Sequence, residues 1–201
     1  MSAARPRAAV LLSGGGRTLE NLAELAERGE LACELGLVIS NKAGAFGLER
    51  ARNHGLPAQV IDTERALEPE AFSAAVFAAV EAAGCELVIL AGFLRFLPIP
   101  ERWLGRVLNI HPSLLPAFGG KGCYGDRVHR AALERGVKVT GCTVHYVDNV
   151  YDNGPILVQR VVPVAPDDTV ESLAARVFEE EKRALPEAIA LHAEATSRAR
   201  G

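Results

Sequence analysis

No apolar run in the 201-residue sequence approaches the roughly 20 residues that a membrane-spanning helix requires. The first apolar stretch, Ala8–Leu12, is too short for a signal-peptide core and runs into glycines. A cytoplasmic protein with no membrane partner is therefore expected. The four cysteines, Cys33, Cys85, Cys123 and Cys142, form no Cys-x-x-Cys pair. That argues against a zinc ribbon or a thioredoxin-like site and predicts reduced thiols. No His or Cys spacing matches a metal site, so no metal is expected. A basic surplus is also missing: 22 Lys and Arg stand against 25 Asp and Glu, for a formal net charge of -3. A nucleic-acid partner would need such a surplus. An anionic small molecule would not, because a few placed cations and backbone N–H groups can hold it. Aromatics are only 5% of the chain, so the core must rest on Val, Leu, Ile and Ala.

What is present is an ordinary globular composition, 49% hydrophobic, at a length that predicts one domain over residues 1–201, frayed at 1–7 and 197–201. Short apolar runs alternate with helical stretches. Ala8–Leu12, Cys33–Ser40, Gln59–Asp62, Glu86–Ala91 and Val107–Ile110 read as strands. Thr18–Arg28, Ala45–His54 and Pro69–Ala83 read as helices, the last two closed by Gly55 and Gly84. Strands apolar on both faces between helices imply a mostly parallel twisted sheet with helices on both faces, an α/β, Rossmann-like fold. A helix over Asp126–Arg135, with Asp126 as its cap, follows a Gly- and Pro-rich loop. Val139–Val147 and Ile156–Val164 read as an antiparallel hairpin joined by a turn at Asp152-Asn153-Gly154. Val170–Ala193 reads as a closing helix, kinked or interrupted at Pro186.

Three motifs carry chemistry. Ser13-Gly14-Gly15-Gly16-Arg17-Thr18 joins the first strand to the first helix. Glycines let several N–H groups converge, and the helix adds its positive end, which suits a phosphate. A plain strand-to-helix turn is the other reading. The dinucleotide fingerprint is not met, because Leu19 stands where its third glycine belongs, and no Walker Gly-Lys-Ser/Thr occurs. Asn109-Ile110-His111-Pro112-Ser113 ends a strand. Side chains alternate along a strand, so Asn109 and His111 project to one side. At the carboxyl end of a parallel sheet they would meet in the crevice that binds ligands. An amide donor beside an imidazole can stabilise an oxyanion and move a proton. Asp152 is either an Asx-turn residue or a carboxylate that reaches His111 and favours the imidazolium. His129 could face the site, His145 reads as packed in a strand, and His54 and His192 read as exposed.

The segments Val10–Gly14, Ser40–Ala51, Ala91–Arg95, Asn109–Pro116 and Gly141–Pro155 resemble the folate-dependent formyltransferases, and within them the phosphoribosylglycinamide formyltransferases. The likeness runs from about residue 8 to residue 190. It implies a formyltransferase fold, a role in purine biosynthesis, 10-formyltetrahydrofolate as co-substrate, glycinamide ribonucleotide as acceptor, and no metal. It further implies catalytic Asn109, His111 and Asp152. Gly16, Arg17, Thr18 and Glu181 would bind the ribonucleotide, and Leu94, Arg95, Phe96, Leu97, Asn109 and Val147 the folate. A monomer or homodimer acting on small molecules is expected. Three features depart from the family pattern: Arg17-Thr18 replaces a common Ser-Asn, Pro69 stands where many members have a folate-contacting arginine, and the Phe118–Gly125 loop is longer.

At this length neither the RNA-binding domain of a tRNA formyltransferase nor the regulatory domain of a formyltetrahydrofolate hydrolase is expected. Another folate-dependent formyltransferase, such as one acting on a sugar nucleotide, or a formyltetrahydrofolate hydrolase is the alternative enzyme. A non-catalytic folate- or phosphate-binding protein is the non-enzyme alternative, and the intact Asn109, His111 and Asp152 argue against it.

Overall fold

A computed structural model of the chain describes residues 5–61 and 68–200. One seven-stranded sheet organises them, in the order β3-β2-β1-β4-β5-β6-β7. The strands are β1 (Arg7–Leu12), β2 (Glu34–Ser40), β3 (Ala58–Val60), β4 (Leu87–Leu90), β5 (Val107–His111), β6 (Val139–Tyr146) and β7 (Ile156–Pro163). Neighbours from β3 through β5 are parallel, while β5–β6 and β6–β7 are antiparallel. The helices among the described residues are α1 (Arg17–Glu27), α2 (Phe46–Asn53), α3 (Pro69–Ala82), α4 (Asp126–Arg135) and α5 (Val170–Arg200), with a 3-10 turn at Glu101–Trp103.

Strand alternation divides the core in two. Ala8, Val10 and Leu12 pack with α1, α2, α4 and α5 on one face. Ala9 and Leu11 pack on the other with Phe72, Val76, Phe77 and Val80 of α3. Helices thus cover both faces, as the continuous apolar strands require.

Several local expectations change. Asp126 is the first residue of α4, and Gly125 caps it. The β6–β7 connection is not a tight turn but the segment 147–155, which contains Asp152. Arg7 already belongs to β1, paired with Glu34 of β2. The third strand is Ala58–Val60; Asp62, which the pattern included, lies outside the described residues. The closing helix continues through Pro186 to Arg200. Proline removes the N–H that residue 182 would otherwise receive. Asn21 of α1 supplies the missing donor, its Nδ2 lying 3.1 Å from the Lys182 carbonyl oxygen. His54 is half-buried between Glu20 and Glu27. His192 is buried and shares a hydrogen bond with the Tyr146 hydroxyl at 2.9 Å. All four cysteines are free thiols.

Candidate active site

The chain changes direction across the sheet between β1 and β4, and loops leave the carboxyl ends of both strands there. Crevices of open parallel sheets form at such points. Ser13, the buried residue after β1, locks this corner. Its hydroxyl donates to Asn41 Oδ1 at 2.6 Å and accepts from the Leu94 N–H at 2.8 Å. A cavity of about 530 Å³ lies beyond these strand ends. Arg17, Thr18, Leu94, Arg95, Asn109, His111, Asp152 and Glu181 all line it.

His111 is the last residue of β5 and is buried. Its Nδ1 lies 3.4 Å from Asp152 Oδ1, and its Nε2 donates to the Phe118 carbonyl at 3.0 Å. Asp152 sits in the left-handed backbone region, with φ 49. Its second carboxylate oxygen accepts the Gly120 N–H at 2.8 Å, so it also ties down the glycine-rich loop. Asn109 Nδ2 stands 3.5 Å from Asp152 Oδ1 and 3.1 Å from His145 Nε2. The Tyr146 carbonyl, 2.9 Å from His145 Nδ1, can only accept. Nδ1 therefore carries the His145 proton and Nε2 accepts from Asn109. Burial, which lowers the His145 pKa, keeps that ring neutral. The strand residue that read as plain packing thus orients the Asn109 amide.

The Asp152 segment is held from the far side. Asn149 Oδ1 accepts the Ile99 N–H at 2.7 Å, and Asn149 Nδ2 donates to the Ile99 carbonyl at 3.2 Å. Tyr151 packs on Phe96 with ring centroids 5.1 Å apart. Asn149 carries no sequence signal for this role, because its partner is 50 residues away.

At the other end of the cavity, Arg17 and Thr18 open α1, whose cap residue Gly16 has φ 72. Arg17 stacks its guanidinium 3.8 Å from the Phe178 ring centroid. Glu181 of α5 lies nearby. Burial pushes its carboxyl up to about 7, with Arg17 pulling the other way. Arg95 lies 4.0 Å from the Phe72 ring centroid.

Three residues assigned to the folate by resemblance, and Gly16 assigned to the ribonucleotide, are not among those lining this cavity. Phe96 supports Tyr151, Leu97 is buried in the α3-side core, and Val147 packs against that core while donating its N–H to the Val107 carbonyl at 2.8 Å. Lys121, Tyr124 and Phe178 line the cavity without having been singled out. His129 lines it too, buried, and burial lowers its pKa. Among the described residues no group of His, Cys, Asp and Glu could hold a metal ion, and no helix is long and apolar enough to cross a membrane.

Known proteins share this chain's sequence pattern and fold. A formyl transferase family model matches residues 6–189. The chain is 46% identical over 187 residues to the trifunctional purine biosynthetic protein adenosine-3 of Gallus gallus, covering 92% of this chain and 18% of that one. It is 39% identical over 188 residues to the chloroplastic phosphoribosylglycinamide formyltransferase of Vigna unguiculata, covering 92% and 60%. The chain thus spans less than two thirds of either relative. The crystal structure of glycinamide ribonucleotide transformylase 1 from Symbiobacterium toebii superposes with a TM-score of 0.90 at 44% identity, covering 97% of this chain and 90% of that one. With the family model spanning most of its length and the sheet, the cavity and the Asn-His-Asp cluster in place, the chain belongs to the formyl transferase family.

Proposed function

We propose that this chain transfers the formyl group of 10-formyltetrahydrofolate to the amine of glycinamide ribonucleotide, a step of de novo purine biosynthesis. The convergence of Asn109, His111 and Asp152 in one cavity that also carries Arg17 and Glu181 supports this reading most directly. The catalytic unit is one formyltransferase domain, active as a monomer or homodimer in the cytoplasm on small-molecule substrates.

The ribonucleotide phosphate binds at the start of α1, where Gly16, Arg17 and Thr18 offer backbone N–H groups and one guanidinium. Glu181 faces the sugar. The folate enters past Leu94 and Arg95. The neutral amine adds to the formyl carbon, and the carbonyl electrons move onto oxygen. Asn109 Nδ2 and the Nδ1–H of the His111 imidazolium, whose Nε2–H stays on the Phe118 carbonyl, donate hydrogen bonds to that oxyanion. Asp152 orients His111 and takes up the amine proton, through water. Collapse of the intermediate breaks the bond to the folate nitrogen, which is protonated with the help of His111. Hydrogen bonds meet the developing charge at every stage, so these steps need no metal.

The test is turnover of the purified chain with both substrates, with formylated ribonucleotide detected by mass spectrometry. The expected product forms only when donor and acceptor are both present. Formate release without acceptor, or tight folate binding without product, would replace this reading by hydrolysis or by simple binding.

A further inference from the structure

The glycine loop after β1 has the Gly14 and Gly15 carbonyls drawn to α2. The Gly14 oxygen accepts the Gly47 N–H of α2 at 3.0 Å. The Gly15 oxygen accepts Arg50 Nε of the same helix at 3.0 Å. The Gly16 oxygen accepts the Glu20 N–H at 3.0 Å, as the first turn of α1. In a planar trans peptide the C=O of one residue and the N–H of the next point opposite ways. Tying the Gly14 and Gly15 oxygens to α2 therefore turns the N–H groups of Gly15 and Gly16 away from α2.

Arg50 is itself fixed. Its Nη1 pairs with Glu20 Oε2 at 2.7 Å, and its guanidinium lies 5.1 Å from the Phe46 ring centroid. Arg50 holds the Glu20 carboxyl below its ordinary pKa. His54 also meets Glu20, at 3.4 Å, and its pKa is raised, chiefly by Glu27. One planar fork thus joins α2, α1 and the loop between β1 and α1. A lysine lacks the planar fork that meets Gly15 through Nε and Glu20 through Nη1. The helices also touch without side chains here: a Cβ on Gly16 would lie 2.5 Å from the Gly47 Cα.

We infer that Arg50 is a positioning residue for the acceptor phosphate. It touches no ligand; it holds the Gly15 carbonyl so that the neighbouring N–H groups face the anion. The inference rests on the phosphate reading of the loop given above.

Arg50→Lys and Arg50→Met are compared with the unaltered chain. Calorimetry with ribose 5-phosphate reads the phosphate end without turnover. Steady-state kinetics use glycinamide ribonucleotide and its dephosphorylated ribonucleoside, and thermal melting follows the fold. Both variants are expected to bind ribose 5-phosphate about tenfold more weakly, about 1.4 kcal/mol, because the loop N–H groups are no longer held toward the anion. KM for the ribonucleotide should rise in proportion, while kcat and the kcat/KM of the ribonucleoside change less than about twofold. Arg50→Lys should melt with the unaltered chain yet share the binding defect. Unchanged ribose 5-phosphate binding, no binding to the unaltered chain, or equal losses with both acceptors would each overturn the inference. An unaltered chain that binds ribose 5-phosphate but forms no formylated product would overturn the proposed activity alone, and calorimetry would still decide the role of Arg50.

Discussion

His111 Nδ1 faces Asp152 Oδ1 at 3.4 Å, although β5 carries the imidazole and the β6–β7 connection carries the carboxylate. In the proposed mechanism the pair acts as a unit, with Asn109 beside it. His111→Ala, Asp152→Asn and Asn109→Ala are each expected to lower kcat by about 10² to 10³, the usual cost of a lost oxyanion donor or its orienting partner. Combining His111→Ala with Asp152→Asn should cost little more than His111→Ala alone, because partners in one step are not additive. Near-normal saturated turnover in the single variants would remove the assignment.

Glu181 titrates far above an ordinary carboxyl, at about 7 against 4.5, because burial disfavours its charge. The folded chain therefore holds this proton more tightly than the unfolded chain. The resulting stabilisation is complete below about pH 4.5 and is lost as pH rises through about 7. Glu181→Gln removes the dependence. Its melting temperature should gain on that of the unaltered chain from about pH 5 to about pH 8 and then hold level. A constant difference across that interval would contradict the assigned titration.

Gly16 has φ 72, and a Cβ there would meet the Gly47 Cα at 2.5 Å. Gly14 has no such φ, and a Cβ would find nothing within 4 Å. Gly16→Ala should thus destabilise by about 2 kcal/mol or more, from the left-handed backbone and the forced separation of α1 from α2. At roughly 2–4 °C per kcal/mol in a chain of this size, melting scans resolve the loss. Gly14→Ala serves as the near-neutral reference.

Asn21 replaces the hydrogen bond that Pro186 removes from α5. Asn21→Leu should cost about 1–3 kcal/mol, because the Lys182 carbonyl loses its donor. Pro186→Ala restores a backbone N–H at that position. Denaturant titrations of the two single variants and the double variant should show the Asn21 penalty shrinking in the Pro186→Ala background. Strict additivity would mean that the contact contributes nothing.

The sequence by itself determined the alternation of strands and helices, the parallel character of the first five strands and the antiparallel pair near the end. These follow from short-range periodicity: consecutive apolar residues for doubly covered strands, and Gly or Pro where a turn or cap needs them. It also placed Asn109 and His111 on one side of β5, because strand alternation is local. Tertiary structure alone decided that Asp152 reaches His111, that His145 orients Asn109, that Asn149 clasps Ile99 and that Asn21 carries α5 past Pro186. Each of those contacts joins residues on separate elements. Their approach depends on strand order and loop closure, and no spacing along the chain encodes either one. His192 shows the same limit, since its polar character read as exposure until the Tyr146 hydroxyl supplied a buried partner.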